Sequence, residues 1–139
     1  MTQPFGHEKL IVYQKGMRFA TLSGALLHEL SRRVAACDHL NRGADSILVN
    51  IAHASNTWSP KERIVYLGHA NGSALECAAC LDVLVAKFYE TAYTATIRSS
   101  SLIDLAGGIE DAARVEEGRE LLRRVAAMLT ALSKVASHE

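Results

Sequence analysis

The chain has 139 residues, the size of one domain, and a chain of this length buries a sizeable core without staples. Apolar residues make up 49% of it and only two are proline, which argues against wholesale disorder. Fifteen basic and fifteen acidic side chains cancel, which argues against a protein whose main business is coating nucleic acid or an anionic membrane. Helical spacing of apolar residues dominates, and no run reads as a strand. A first helix is expected at roughly Glu8 to Glu29, with a stripe through Leu10, Tyr13, Met17, Gly24 and Leu27. A second is expected from about Ser31 to Ala54, where Val34, Leu40, Ile47 and Ile51 recur at helical intervals. The clearest start signal is Ser59-Pro60-Lys61-Glu62, in which serine caps, proline suits the first helical position and glutamate can reach back. That third helix is expected to reach about Thr91, carrying Ile64, Leu67, Ala74, Leu81, Leu84 and Phe88. A polar stretch, Thr94 to Ser101, then joins it to a last helix, with Gly107-Gly108 a flexible point near its start. In that helix Gly118, Leu122, Val125, Leu129, Leu132 and Ala136 alternate steps of four and three, the seam spacing of packed bundles. Leu121, Met128 and Val135 make a second apolar line, read either as a broad core face or as a subunit interface.

The charge balance is uneven along the chain. Residues 1–42 hold six basic and three acidic side chains, and residues 101–139 hold five basic and seven acidic, so a local basic patch is compatible with the overall neutrality. Cys37, Cys77 and Cys80 are an odd number of thiols, and the start MTQPFGHEKL lacks the pattern of a signal peptide. No apolar run is long enough for a membrane span, and reduced thiols in a cytoplasmic protein are expected. The whole of 1–139 reads as one domain, without internal repeats or low-complexity tracts.

Three segments in register carry a family resemblance. His7-Glu8-Lys9-Leu10-Ile11-Val12-Tyr13-Gln14-Lys15 is similar to an opening pattern Phe-x-x-Leu-x-Val-Trp-Gln-Lys. Leu40-Asn41-Arg42-Gly43-Ala44-Asp45-Ser46-Ile47-Leu48-Val49-Asn50-Ile51-Ala52 is similar to a block Leu-Arg-Arg-Ala-x-x-Ser-Ile-x-x-Asn-Ile-Ala, and Ala70-Asn71-Gly72-Ser73-Ala74-Leu75-Glu76 to Ala-x-Gly-Ser-x-x-Glu. Together they resemble the 23S rRNA intervening-sequence proteins. The resemblance implies an all-α, up-and-down four-helix bundle and a ring-shaped homo-oligomer, usually a pentamer. It implies no enzyme activity and no cofactor. A similar but basic pentameric bundle binds nucleic acid, and this chain lacks that basic excess. The family's Glu-Gly after Asn-Ile-Ala is His53-Ala54 here, a usual second glutamate beyond Glu76 is Ala78, and Asp45 replaces a commonly apolar residue. Properties that rest on those acids are not inherited.

Few residues could carry chemistry. Asn50 and Glu76 sit among apolar neighbours, and polar groups there usually fix helix register through hydrogen bonds. Ser46, Asn50, Ser73 and Glu76 are therefore expected to form an internal polar cluster. His53, His69 and Glu76, with Asp45, suggest a metal site between facing helices, but the Glu-x-x-His pairs of carboxylate-bridged metal bundles are missing from the core segments. Cys77-Ala78-Ala79-Cys80 is formally Cys-x-x-Cys, yet it falls mid-helix with no strand before it, so small buried packing residues are the expected account. Arg32, Arg33 and Arg42, with Arg119, Arg123 and Arg124, are candidate RNA or DNA phosphate contacts, or solvated faces with inter-subunit ion pairs. Trp58, in the loop before Pro60, is either a staple under the cap or an anchor for a partner.

These features lead to the expectation of a non-catalytic, homo-oligomeric interaction scaffold in the cytoplasm, with a protein partner and no membrane. An accessory oligomer that binds RNA or DNA through its arginines is the second expectation. A bundle holding a metal or cofactor through His53, His69 and Glu76 is the third.

Overall fold

The computed structural model describes residues 5–29, 35–86 and 102–139. They form a 3-10 turn, Gly6–Lys9, followed by four helices: α1 (Ile11–Glu29), α2 (Ala35–Asn56), α3 (Pro60–Leu84) and α4 (Leu102–Ser137). There is no strand among the described residues. The first helix starts three residues later than the sequence suggests. The Glu8 carboxylate accepts from the Phe5 N–H at 2.8 Å, which closes the 3-10 turn, and Leu10 is extended, which breaks it from α1. The start of α3 keeps two parts of its signal: the Ser59 hydroxyl accepts from the Glu62 N–H at 3.4 Å and Pro60 opens the helix, whereas the Glu62 carboxylate accepts from Thr57 Oγ1 at 2.7 Å rather than reaching back to Ser59. The regular helix ends at Leu84, with Val85 and Ala86 in a wider turn. Gly107 and Gly108 lie inside α4 rather than marking a break, and the expected Thr94–Ser101 linker, Val34 and Phe88 lie outside the described residues.

Each helix packs against two others, in the order α1, α2, α3, α4 and back to α1, so α1 and α3 sit on a diagonal. Cross-helix partners fix the directions. Leu40 and Ser46 of α2 meet Cys77 and Ser73 of α3, and Arg63 and Asp82 of α3 meet Glu139, just beyond the end of α4, and Arg119 within it, so these neighbours run antiparallel. Phe19, Leu26, Leu40, Ile47, Ile51, Leu81, Leu84, Val125 and Leu129 are fully buried between the four helices.

Two sequence expectations about faces need correction. The buried line of α1 is Val12, Gly16, Phe19, Ser23 and Leu26, whereas Met17 is 44% exposed and Gly24 is exposed. Apolar residues occur all round this helix, and burial of the large Phe19 ring decides which line turns inward. In α4 the seam Gly118, Leu122, Val125, Leu129 and Ala136 is buried, with Leu132 half-buried. Its second line divides: Leu121 is buried, Met128 half-buried and Val135 exposed.

The inner face of α3 is Leu67, Ala70, Ala74, Cys77, Leu81 and Leu84. Its outer face is apolar too. Val65, Gly68, Gly72, Leu75, Ala79, Val83 and Ala86 follow steps of three and four and are all exposed. A helix apolar on both faces is the usual mark of one covered on both sides. Helices α2 and α3 pack closely at Gly43, where an added Cβ would lie 2.6 Å from Cys77 Sγ.

Candidate interaction surfaces

The polar residues of the α2–α3 seam are brought together by the antiparallel register. Ser46 Oγ and Ser73 Oγ are 2.8 Å apart. Asn50 Nδ2 donates to the Ser46 carbonyl at 2.8 Å and to Ser46 Oγ at 3.1 Å. This chain of bonds satisfies three half-buried polar side chains and ties the register of the two helices. Glu76 does not join it, contrary to the sequence expectation. It lies at the edge of α3, with a half-exposed side chain, and faces His39 Nδ1 of α2 at 3.5 Å. The line Ala70, Ala74, Cys77 turns inward, which leaves position 76 one step round the helix toward solvent.

The residues of the metal expectation are not gathered either. His53 is exposed and stacks on Tyr66 with ring centroids 5.0 Å apart. His69 and Asp45 are exposed, and Glu76 is engaged with His39. Among the described residues no three His, Cys, Asp or Glu side chains converge on a position that could hold a metal ion.

Cys37, Cys77 and Cys80 are buried and unbridged. The Cys77 thiol is pushed up to about 12, first by burial and then by the neighbouring Cys80 and Glu76, and its Sγ faces the Leu40 carbonyl at 3.9 Å. Burial also raises Cys37 and Cys80. A nucleophilic or redox-active thiol needs the opposite shift, so the environment of Cys77-Ala78-Ala79-Cys80 is that of packing residues.

The described arginines of the proposed phosphate clusters are engaged with carboxylates. Arg42 pairs with Asp38 at 3.3 Å on α2. Arg119 bridges α4 to Asp82 of α3 and also reaches Glu116 at 3.8 Å. Arg123 lies 3.6 Å from Glu116 and 3.2 Å from Glu120, and Arg124 bonds Glu120 at 3.1 Å. Hydrogen bonds from Arg124 and Arg123 hold the Glu120 carboxyl below its ordinary range. The clusters form a mixed-charge lattice rather than an unbroken basic stripe. Arg32 and Arg33 lie outside the described residues.

Two apolar features remain. Trp58 is 96% exposed, which rules out the staple and leaves its indole free in the three-residue loop between α2 and α3. That loop is well tied: Thr57 Oγ1 donates to Glu62 at 2.7 Å, and Arg63 donates to the Thr57 carbonyl at 3.4 Å and to the Glu139 carboxylate at 2.6 Å. At the same end of the molecule Phe5 is exposed and stacks on His7, whose ring meets Asn56 at 3.5 Å. The second feature is a groove of about 310 Å³ between α3 and α4. Ala74 and Ala78 line it on one side and Leu122 and Ala126 on the other, with Leu75, Asp82, Arg119 and Arg123 completing its walls. Sequence reasoning missed this groove. Its signal was there in the alanine pairs at 74/78 and 126/127, which let a helix wall recede, but which wall faces solvent depends on the helix packing.

The model of the family described as 23S rRNA-intervening sequence protein matches residues 8–109. Comparison with curated proteins gives no match, and comparison with solved structures gives none.

Proposed function

Because the chain belongs to the 23S rRNA-intervening sequence protein family, we propose that it works as a homo-oligomeric, non-catalytic interaction scaffold of the cytoplasm. The observation that carries this reading is the outer face of α3. From Val65 to Ala86 it presents apolar and small side chains to solvent over about 32 Å of helix. Val65 is 55% and Leu75 61% exposed in the single chain. A continuous stripe of this kind is a contact surface awaiting cover, and a second copy is the partner the family resemblance favours, in a ring of five. Among the described residues no helix is long and apolar enough to cross a membrane. The engagement of Arg42, Arg119, Arg123 and Arg124 with carboxylates gives the nucleic-acid alternative no support from geometry. Nor does the dispersal of His53, His69 and Glu76 support the metal alternative.

Native mass spectrometry of tag-free protein, purified without chelator, tests this reading. A bare fivefold mass that falls to monomer on Leu75→Glu is expected. A monomer at every concentration would overturn it, and bound metal or nucleotide mass would move the alternatives ahead.

A further inference from the structure

We infer that Trp58 of one copy plugs the α3–α4 groove of the next, so that the end of one bundle docks on the flank of its neighbour. The inference rests on the homo-oligomer proposed above and names the residues that join the copies.

Both halves of the contact stand open in the single chain. Trp58 is the chain's one tryptophan and the most exposed large apolar side chain among the described residues. An indole left in water forfeits a large burial term, and the loop that carries it is not a loose one. The Thr57–Glu62 bond, the Ser59 cap, Pro60 and the Arg63 bonds to Thr57 and Glu139 fix the backbone on both sides of Trp58. An aromatic that projects from a fixed backbone has only its two side-chain torsions left to lose on docking, which suits an anchor residue.

The receiving groove fits that anchor in size and chemistry. Its volume of about 310 Å³ admits one bicyclic ring, and Ala74, Ala78, Leu122 and Ala126 offer an apolar lining without long side chains. Arg119 and Arg123 stand in its walls, Arg119 hydrogen-bonded to Asp82 and Arg123 to Glu120, with Glu116 in ion-pair range of both. A guanidinium paired through its edges stacks on an aromatic ring through its flat face, and the carboxylates help to hold the two planes in place. The cationic wall and the electron-rich ring are complementary.

The occupant cannot be the chain's own Trp58. The groove is centred near Ala78, twenty residues along α3, which is about 30 Å away along the helix axis. A second copy supplies the residue at no geometric cost, and Leu75 and Val83 beside the groove then meet the apolar end that also bears Phe5. Trp58 and its groove are different surfaces, so the contact is head-to-flank. Contacts of that class close into rings when the rotation per subunit divides the circle, and otherwise run on as filaments. The open outer face of α3 and the bare tryptophan thus become two parts of one joint.

Since the tryptophan is unique, its fluorescence reads the joint directly. Diluting the full chain through its assembly range, with mass followed in parallel by light scattering, should move emission from a buried, blue-shifted position to that of water-exposed indole as the oligomer dissociates. Trp58→Ala should weaken association about 30-fold or more, as loss of an interface anchor does. Ala126→Phe, which fills the groove from within, should do the same while leaving the helical circular dichroism intact. An intact oligomer whose tryptophan emits as fully exposed, or whose association is unchanged by Trp58→Ala, would overturn the joint and leave the scaffold reading standing. A chain that stays monomeric at every concentration would overturn both.

Discussion

Gly43 shows what a single missing Cβ does here. In a helix, alanine is favoured over glycine by about 1 kcal/mol, yet a Cβ at position 43 would sit 2.6 Å from Cys77 Sγ and force α2 and α3 apart. Gly43→Ala is therefore expected to lower stability by about 1–2 kcal/mol in urea unfolding. Gly72→Ala has nothing within 4 Å to meet and should raise it by about 0.5–1 kcal/mol. Both are best compared at low concentration in a Trp58→Ala background, where the proposed assembly would be weakened. Cys77 gives a pH signature. Its folded thiol is pushed up to about 12 from an ordinary value of 9.0, so the folded state holds the proton more tightly than the unfolded one. The stability that comes from burying the neutral thiol is complete below the ordinary value and is lost as pH rises toward the folded value. Urea midpoints measured at about pH 8 and about pH 10.5 should fall, with a flatter slope in Cys77→Ala. Serine, asparagine and glutamate in the central segments were all legible as polar residues needing partners. Only Ser46, Asn50 and Ser73 found one another, because a rotation of one residue step separates an inward position from the edge where Glu76 meets His39.

At the scale of the element, the beginning of α3 was the best-marked boundary in the chain and the structure keeps it. Ser59 caps, Pro60 leads and Glu62 holds Thr57. Ser59→Ala is expected to cost about 1 kcal/mol, seen as a lower urea midpoint with an unchanged slope, and Ser59→Asp to recover most of it. Helix number and approximate spans could be read from spacing because apolar residues recur every three or four positions in all four segments. Which line faces inward could not be read for α1 or α3. Both carry apolar residues on opposite sides, and periodicity gives the period of a stripe but not which of two stripes is buried. In α1, Phe19 settles the matter; in α3, the partners Gly43 and Gly118 do, since each leaves room for the chains opposite. The exposed indole of Trp58 was equally beyond the sequence, because a staple and an anchor use the same residue type at the same place.

Across the whole molecule, among the described residues, Ile11, Met17, Val49 and Val135 are exposed, and other exposed apolar side chains gather at two places, the end that carries Trp58 and Phe5 and the flank of α3 that carries Val65, Leu75 and Val83. The charged side chains between them are largely paired within the chain. The family match accounts for the bundle, while the proposed contacts between copies rest on exposure and geometry that a motif does not encode. The tight α2–α3 seam has a kinetic side as well. Its two helices are consecutive, joined by only three residues, and meet through Gly43, Cys77 and the Ser46–Ser73 bond. Closing so short a loop carries a small entropy penalty and is followed at once by a tightly packed helix pair. A hairpin of this kind can zip while α4 is still being synthesised. The chain would then pass through its folding barrier on local contacts alone, and docking of the termini would follow as a late, downhill event.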